Sequence, residues 1–332
     1  SCPYAYFLKF GLKIQDPIDA SFNDQKIGTL SHYLLETLVQ QYGKAYAKVE
    51  EAQLRQLIHE QCAELNKIYP HLNFNLIVEK ELIAIMNHCH LLAQMEEHSS
   101  LIPSRCEEEF YHEYPIGNQI TLKLKGYIDR IDENERFFRI IDYKSSKKRL
   151  VKEKVFSGQQ LQLVTYAMHC REAYHKEALG AFYYSLKNEN LTLPYGKMKR
   201  RGVGEWIETD EETVLTEIKK AHRLQGWIFS DFVEEMDNEG NYTAGIKNSA
   251  KSGITANDVI DPRTLTHLLD QMMRALAGKI LSGNIVCKPS EDACLFCRYK
   301  AICRFNGNPS KPSMLVDLPE NLMKDHGGES DE

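Results

Sequence analysis

The segment Ile140-Ile141-Asp142-Tyr143-Lys144 constrains the fold more than any other part of this chain, because it ends an apolar run with two charged residues. Phe137 to Lys144 is predicted to be a β-strand, and its apolar approach is typical of a central strand. Side chains repeat every two residues along a strand, so Asp142 and Lys144 should point to the same face. A carboxylate and an ammonium group at the end of a buried strand are costly unless they have partners or a chemical task.

A second predicted strand supplies another carboxylate. Ile120 to Asp129 alternates apolar and polar residues, as a half-buried strand does, and the polar residues 132–135 supply the turn that follows. If the two strands pair, Asp129 comes to the face of Asp142. Two converging carboxylates can hold Mg²⁺, which polarises a phosphoryl oxygen and lowers the pKa of a bound water. The pattern therefore predicts metal-assisted phosphodiester cleavage, and the alternative is a surface salt bridge between Asp142 and Lys144.

The composition is ordinary for a soluble globular protein. The chain has 332 residues, of which 42% are hydrophobic and 27% are charged, enough for one large domain or two modest ones. We expect a cytoplasmic protein with no membrane partner, because the sequence shows no membrane-length apolar run and no signal peptide. The first residue is Ser1 rather than Met, as expected of a processed or excised piece. With a formal charge of −6, a nucleic-acid partner would have to use local basic patches.

Helical and strand patterns surround the two strands. The first helical pattern, about 28–42, places His32 and Glu36 on a face separate from its leucines. A polar stretch at about 231–261 is predicted to be a mobile loop or an insertion. The remaining predictions are helices at about 46–67, 75–98, 159–174, 211–225 and 262–282, and strands at 106–115 and 178–187.

A polar stripe on the predicted helix 159–174 provides a second group of candidate residues. Gln159, Gln162 and Tyr166 are spaced at i, i+3 and i+7. A helix that crosses back over a strand end places its first turns near that end. Gln162 can then orient a water or a phosphate, and Tyr166 can contact a phosphate or stack on a base. The alternative is that the stripe is a solvent-exposed face.

A basic segment lies between the strand that ends at Lys144 and this helix. It places five cations within eight positions, namely Lys147, Lys148, Arg149, Lys152 and Lys154. Such a concentration of positive charge is typical of a phosphate-binding loop, and its position beside the candidate site favours DNA or RNA as the ligand. A solvated surface loop is the alternative interpretation.

Four of the nine cysteines lie close together near the C-terminal end. A disulfide framework is not expected in a chain of this size without a secretory signal, so the grouping indicates ligands in a reducing, intracellular setting. Cys294-x2-Cys297-x5-Cys303 supplies three thiolates, and both a tetrahedral zinc site and an iron–sulfur cluster need a fourth. Cys287 is the nearest candidate in sequence, and Cys2 is its rival. A set of free buried thiols is the alternative.

Several motifs together resemble a known family. In chain order they are Cys2-Pro3-Tyr4-x-Tyr6-Phe7, Gly28-x3-His32, Gly126-Tyr127-Ile128-Asp129-Arg130-Ile131-Asp132, Ile141-Asp142-Tyr143-Lys144-Ser145-Ser146, Gln162-x3-Tyr166 and the terminal cysteines. With these motifs the chain is similar to the RecB-type nuclease domain of the PD-(D/E)XK superfamily, and in particular to the C-terminal nuclease domain of the AddB/RexB subunits of bacterial helicase–nucleases. The resemblance extends from Cys2 to Cys303.

The resemblance implies an α/β fold with a restriction-endonuclease-like core, that is, a mixed sheet flanked by helices, with N-terminal helices and a terminal iron–sulfur staple. Residues 1–305 would form the nuclease domain and 306–332 an irregular tail. Within the domain, 1–100 would be a helical N-terminal part, 104–190 the catalytic core and 205–305 a helical, cysteine-rich C-terminal part.

The resemblance also implies a role for each candidate residue. Lys144 would position or activate the attacking water, while Gln162 and Tyr166 would complete the catalytic set with Asp129 and Asp142. The ligands of Mg²⁺ or Mn²⁺ would be His32, Asp129, Asp142 and the Tyr143 carbonyl. The ligands of a [4Fe–4S] cluster would be Cys2, Cys294, Cys297 and Cys303, because the family's first ligand precedes the nuclease core. Nucleic-acid contacts are expected from Lys147, Lys148, Arg149 and Gln159.

The activity implied is that of a deoxyribonuclease, an exonuclease acting 5′→3′ during double-strand break processing in DNA repair and recombination. Its partners would be DNA ends, single-stranded DNA at the nuclease site, and an AddA-type subunit of a two-subunit, ATP-driven helicase–nuclease. The chain contains no G-x4-G-K-[ST] loop, so ATP dependence would come from elsewhere. Two alternatives are a DNA-binding module with a vestigial site, and a free-standing RecB-like single-strand exonuclease of CRISPR adaptation.

Overall fold

The computed structural model describes residues 2–15, 24–116, 120–187, 211–295, 297–319 and Leu322, without the side chains of residues 24, 25 and 211–213. Residues 188–190 and 205–210 of the predicted domain parts, and most of the tail beyond residue 319, lie outside the described residues. The helices are α1 (Pro3–Tyr6), α2 (Asp24–Tyr42), α3 (Glu51–Ile68), α4 (Phe74–Glu97), α5 (Lys152–Phe156), α6 (Gln162–Tyr174), α7 (Glu211–Ala221), α8 (Pro262–Leu281) and α9 (Lys300–Cys303). The strands are β1 (Ile102–Ile116), β2 (Ile120–Glu133), β3 (Phe137–Lys144), β4 (Glu177–Ser185), β5 (Gln225–Ile228), β6 (Ile246–Ser249) and β7 (Gly253–Ala256).

A five-stranded mixed sheet with the order β1-β2-β3-β4-β5 organises the chain. Only β3 and β4 in it run parallel, and the other neighbours are antiparallel. A parallel pair needs a crossover, and α5 and α6 supply it. The mixed sheet flanked by helices that the resemblance implied is therefore confirmed.

The central strand β3 is buried on both faces. Ile141 and Tyr143 pack in a core that also includes residues of α2, α3 and α4. Phe138 and Ile140 pack in a second core with residues of α6 and α8. The strand runs from Phe137 to Lys144, as the sequence predicted. Because apolar cores hold it from both sides, the charged residues at its end are fixed in position.

Four predicted helix boundaries were wrong. α2 begins at Asp24 rather than Gly28. A 3₁₀ helix occupies Gly43–Lys48, so α3 begins at Glu51 rather than Tyr46. The helix predicted to reach Gln225 ends at Ala221, because Gln225 pairs with Tyr183 at the start of β5. α6 begins at Gln162 rather than Gln159, since Gly158 adopts a φ of 81° and turns the chain first.

The polar stretch 231–261 has more structure than its composition suggests. It contains a short 3₁₀ helix, Val233–Glu235, and the β6–β7 hairpin. Asp237 organises the segment between them, because its carboxylate accepts backbone N–H groups of Gly240, Tyr242 and Thr243 at 2.8 Å. This turn chemistry replaces the apolar periodicity that helix and strand prediction relies on.

A buried ionic network joins the sheet to α4. Arg130 and Asp132 on β2 and Arg139 on β3 are all 0% exposed. Asp132 accepts hydrogen bonds from Arg130 Nε at 2.5 Å and from Arg139 Nε at 2.9 Å. Arg130 also donates to Glu96 of α4 at 2.5 Å. The motif residues Arg130 and Asp132 therefore act in the core, not in the candidate site.

None of the helices in the described part of the chain is long and apolar enough to cross a membrane.

Candidate active site

Asp129 lies where the pairing of β2 and β3 ends. The last β2–β3 pair joins Arg130 to Ile141. Just beyond it, Asp129 Oδ2 accepts the backbone N–H of Tyr143 at 2.8 Å. The carboxylate thus takes over a donor that continued strand pairing would have used, and it is held at the point where the strands separate.

Asp142 is buried at the end of β3, with 1% of its surface exposed. The ammonium group of Lys144 is its ion partner, which places the two side chains on one face as predicted. Its Oδ1 accepts no hydrogen bond from the described residues. A salt bridge is therefore present, but it is not a surface one. A buried carboxylate oxygen without a donor is costly, and a bound cation would compensate it.

His32 reaches the same place from α2. Its Nδ1 is 3.4 Å from Asp129 Oδ2, and its ring packs edge-on against Tyr143. Burial lowers the pKa of His32 to about 4, and the Lys144 ammonium contributes to the decrease. The imidazole is therefore neutral near pH 7, the form in which it can act as a metal ligand.

The two carboxylates oppose each other's ionisation. Burial raises the pKa of Asp129 to about 7, and the negative charge of Asp142 adds to the rise. Burial also raises the pKa of Asp142, although Lys144 opposes that change. The positive charges of the protein therefore do not fully balance the two carboxylates. A bound cation would supply the missing positive charge.

Gln162 and Tyr166 come from the first turns of α6. Burial raises the pKa of Tyr166, the charges of Asp142 and Asp129 add to the rise, and the nearby Gln162 side chain and Tyr127 backbone oppose it. A Cβ atom on Gly126 would lie 2.1 Å from Tyr166 Oη. Glycine in this motif therefore allows the ring to lie directly on β2.

The predicted basic and glutamine contacts separate into two groups. Lys147, Lys148 and Arg149 are exposed in the loop after β3. Lys148 lies close enough to the site that the Lys144 charge, after burial, lowers its pKa, while Asp142 opposes the shift. Gln159 does not belong to the stripe with Gln162, because it precedes the helix and donates to Ser157 Oγ at 3.2 Å.

The comparisons with known proteins identify the family of this chain. A profile of the PD-(D/E)XK nuclease superfamily matches residues 1–304. The chain belongs to this superfamily. It is also similar to proteins named as one component of an ATP-dependent helicase/deoxyribonuclease, the subunit of the AddB type. The protein of Thermoanaerobacter sp. (strain X514) is 28% identical over 93% of this chain and 29% of its own length. The protein of Caldanaerobacter subterraneus subsp. tengcongensis is 26% identical over 100% of this chain and 32% of its own length. The protein of Clostridioides difficile (strain 630) is 25% identical over 92% of this chain and 29% of its own length. The chain therefore spans about a third or less of these relatives.

Nucleases of the PD-(D/E)XK superfamily generally use divalent metal ions, and this site suits one chemically. It offers the unpaired Asp142 oxygen, the Asp129 carboxylate and the neutral His32 ring. Within the described residues, however, no three His, Cys, Asp or Glu side chains are arranged closely enough to hold an ion as they stand. Lys144 lies against Asp142, so its ammonium group and a cation would share this carboxylate.

Two further carboxylates at the site received no role from the sequence. Burial raises the pKa of Glu107, and the charges of Glu36 and Asp142 add to it. Glu107 lies in β1 with a φ of 50°, which is uncommon for a residue other than glycine. The i,i+4 spacing of His32 and Glu36 on α2 was a signal that could have found Glu36. The unusual backbone angle of Glu107 has no comparable signal in the sequence.

A small cavity brings the two ends of the described chain together. Cys287 Sγ lies 3.2 Å from Cys303 Sγ. Tyr299, also at the cavity, donates its hydroxyl to the carbonyl of Ile14 at 3.0 Å. The cysteines that line the cavity are Cys2, Cys287, Cys294, Cys297 and Cys303. Both candidates for the fourth thiolate, Cys2 and Cys287, therefore lie beside the three terminal cysteines.

Proposed function

We propose that this chain is the nuclease part of a larger helicase–nuclease subunit and that it hydrolyses DNA phosphodiester bonds with Mg²⁺ or Mn²⁺. The observation that carries the proposal is the buried Asp142, whose unpaired oxygen lies in the same site as Lys144 and Asp129. The names of the relatives support DNA as the substrate and a second subunit as the partner. On this proposal the activity is a 5′→3′ exonuclease in double-strand break repair, and the partner is an AddA-type subunit in the cytoplasm.

The cation would be held by His32, Asp129, Asp142 and the Tyr143 carbonyl. When bound, a divalent cation supplies positive charge to the scissile phosphate and lowers the pKa of a water. Hydrogen bonding fixes Asp129 against the Tyr143 backbone, so the strand end and the carboxylate stay in register. His32 remains neutral and keeps a lone pair for the ion, because burial disfavours its protonation.

Lys144 is the residue we assign to the attacking water. Its side chain is partly exposed while that of its partner Asp142 is not, so the ammonium group lies between the buried carboxylate and solvent. From that position it can hold a water or a phosphate oxygen by a charge-assisted hydrogen bond. Tyr166 provides a hydroxyl whose pKa responds to the charges of both carboxylates. Lys147, Lys148 and Arg149 provide positive charge in the loop after β3 for the DNA backbone.

A cleavage assay tests the proposal. The chain is incubated with linear duplex and single-stranded DNA, labelled at either the 5′ or the 3′ end, with Mg²⁺ or with EDTA. We expect metal-dependent cleavage in which a 5′ label is released early in short products and a 3′ label persists in long ones. Binding without cleavage by any divalent ion would favour the module with a vestigial site. Early release of a 3′ label in short products, with a 5′ label persisting in long ones, would contradict the proposed 5′→3′ direction.

For the cysteines we propose a [4Fe–4S] cluster held by Cys2, Cys294, Cys297 and Cys303. The support for it is the shared cavity, which places soft thiols from both ends of the chain side by side. A cluster there would fasten the N-terminal helix α1 to the C-terminal segment. It would thereby staple residues 1–305 into one nuclease domain.

Iron analysis tests the cluster. Protein prepared without oxygen is expected to be brown and to contain about four irons per chain. Cys2→Ala should lose the iron and much of the stability, because ligand binding and folding are coupled. Cys287→Ala is the matched control and should keep the iron. Stoichiometric zinc without iron would refute the cluster, and loss of iron in Cys287→Ala alone would make Cys287 the fourth ligand.

A further inference from the structure

A second, much larger cavity of about 850 Å³ lies next to the cysteine cavity. One wall is formed by Tyr6 and Phe7 at the N-terminal end, and another by the end of α8, including Lys279 and Ile280. Lys311 belongs to the C-terminal segment that closes a third side. We call this cavity the lysine groove. Its volume lies in the upper part of the range of about 300–1,000 Å³ that is typical of ligand sites.

The charge of the lysine groove has one sign. Three lysines, Lys279, Lys288 and Lys311, line it, and no aspartate or glutamate is among its described lining residues. All three are exposed, and none forms an ion pair with a carboxylate in the part of the chain that the structure describes. The chain as a whole carries a charge of −6, so this local surplus is contrary to the average. Unpaired lysines around a concave surface favour an anionic ligand.

The other lining residues favour a ligand that also has flat apolar faces. Tyr6 is 46% exposed and forms a ring pair with Phe10, which is 55% exposed, at a centroid distance of 4.8 Å. Ile280, Ile285 and Val286 add exposed aliphatic surface. Phosphates on cations and bases on aromatic rings are the two contacts that single-stranded nucleic acid makes without regard to sequence.

The loop before α6 belongs to the lysine groove and leads along the chain into the helix that carries two candidate-site residues. Ser157 and Gln159 line the groove, and Gln162 begins α6 three residues after Gln159. Tyr166 lies on the same helix, and the charges of Asp142 and Asp129 raise its pKa after burial does. Gly158 between them is closely packed, because a Cβ atom there would lie 3.0 Å from Leu315 and 3.4 Å from Leu276. The groove lining and Gln162 therefore come from one short stretch of chain, residues 157–162.

We propose that the lysine groove binds single-stranded DNA as it passes to or from the nuclease site. This inference rests on the proposed function for its direction of travel, but the binding itself does not require cleavage. It also gives Gln159 a place: a contact with the DNA strand in the groove rather than at the metal site.

Binding without metal tests the inference separately from catalysis. Anisotropy of a fluorescein-labelled single-stranded oligonucleotide is measured in EDTA across a range of salt concentrations. The double variant Lys279→Ala/Lys311→Ala should lower the slope of log K against log[salt] by about 1.4, since each neutralised phosphate on a single strand contributes about 0.7. Tyr6→Ala should weaken binding about tenfold, whereas Tyr6→Phe should not, because it keeps the stacking ring.

The matched control is Lys80→Ala/Lys251→Ala, which removes the same charge from exposed positions outside the groove lining. It should bind like the unaltered chain. If the groove variants also keep the original affinity and salt slope, the inference is overturned, and the face is then free to contact another protein. If the groove variants lose binding while the unaltered chain cleaves no DNA, the inference stands and the proposed function fails.

Discussion

Asp142→Asn is expected to reduce kcat for Mg²⁺-dependent DNA cleavage by about 10³-fold, because a correctly held divalent cation contributes several kcal/mol to transition-state stabilisation. The substitution keeps the shape of the side chain and removes its charge. It also removes a buried carboxylate whose ionisation burial already disfavours. The free energy of unfolding should therefore not fall, and loss of activity can be assigned to the site. Initial rates on end-labelled linear DNA and urea unfolding provide the two readouts.

The control is Asp258→Asn, the same chemical change at an exposed position. It should cleave DNA at the original rate. Lys144→Ala is expected to lower kcat as well, with little change in metal affinity, because we assign Lys144 to the water rather than to the ion. Full metal-dependent activity in both Asp142→Asn and Lys144→Ala would refute the assignment of this site.

The strands that carry the site were predictable because their sequence pattern is local. The apolar run before Asp142 has charges at one end and a turn at the other, and both faces of β3 are buried as that pattern requires. Period-two spacing correctly placed Asp142 beside Lys144. The strand register determines the position of Asp129, because the pairing of Arg130 with Ile141 brings Asp129 next to the end of β3.

Sequence reasoning alone did not give the positions of residues that depend on backbone conformation or on distant parts of the chain. Gln159 fits a helical stripe by spacing, but the positive φ of Gly158 removes it from the helix. Glu107 has an unusual backbone angle in a strand whose alternation gives no sign of it. Cys2 and Cys287 are far apart in sequence, so spacing favoured Cys287, whereas the fold brings both to one cavity.

The motif that contains Asp129 shows why a resemblance alone does not separate structural from catalytic residues. Asp129 and Asp132 lie three positions apart on β2, and both are acidic. Asp129 faces His32, while Asp132 is enclosed by Arg130 and Arg139 in the ionic network. Burial would raise the pKa of Asp132, but the two guanidinium groups outweigh it and hold that pKa below its ordinary value. Asp132 therefore stays negatively charged and pairs with the two buried arginines in the core.

Asp132→Ala is expected to lower the free energy of unfolding by about 3–5 kcal/mol, because it leaves two buried guanidinium groups without their carboxylate. Arg130 and Arg139 are 0% exposed, so water cannot easily replace Asp132. Urea unfolding followed by circular dichroism at pH 7 measures the loss. Asp258→Ala is the surface control and should change stability by less than about 0.5 kcal/mol. A decrease below about 1 kcal/mol for Asp132→Ala would show that the network does not stabilise the fold.

The pH dependence of the same variant gives an independent check. A carboxylate whose folded pKa is lowered contributes stability above its unfolded value, near 3.8, and this contribution is lost as the pH falls through the folded value. The difference in stability between the unaltered chain and Asp132→Ala should therefore narrow in acid. Arg130 also donates to the Tyr143 hydroxyl at 3.4 Å, and the Tyr143 backbone holds Asp129. Asp132 therefore acts on the site only through the folded structure, so the activity of Asp132→Ala should fall in proportion to the fraction of unfolded chain. Asp142→Asn should instead lose activity while the chain remains folded.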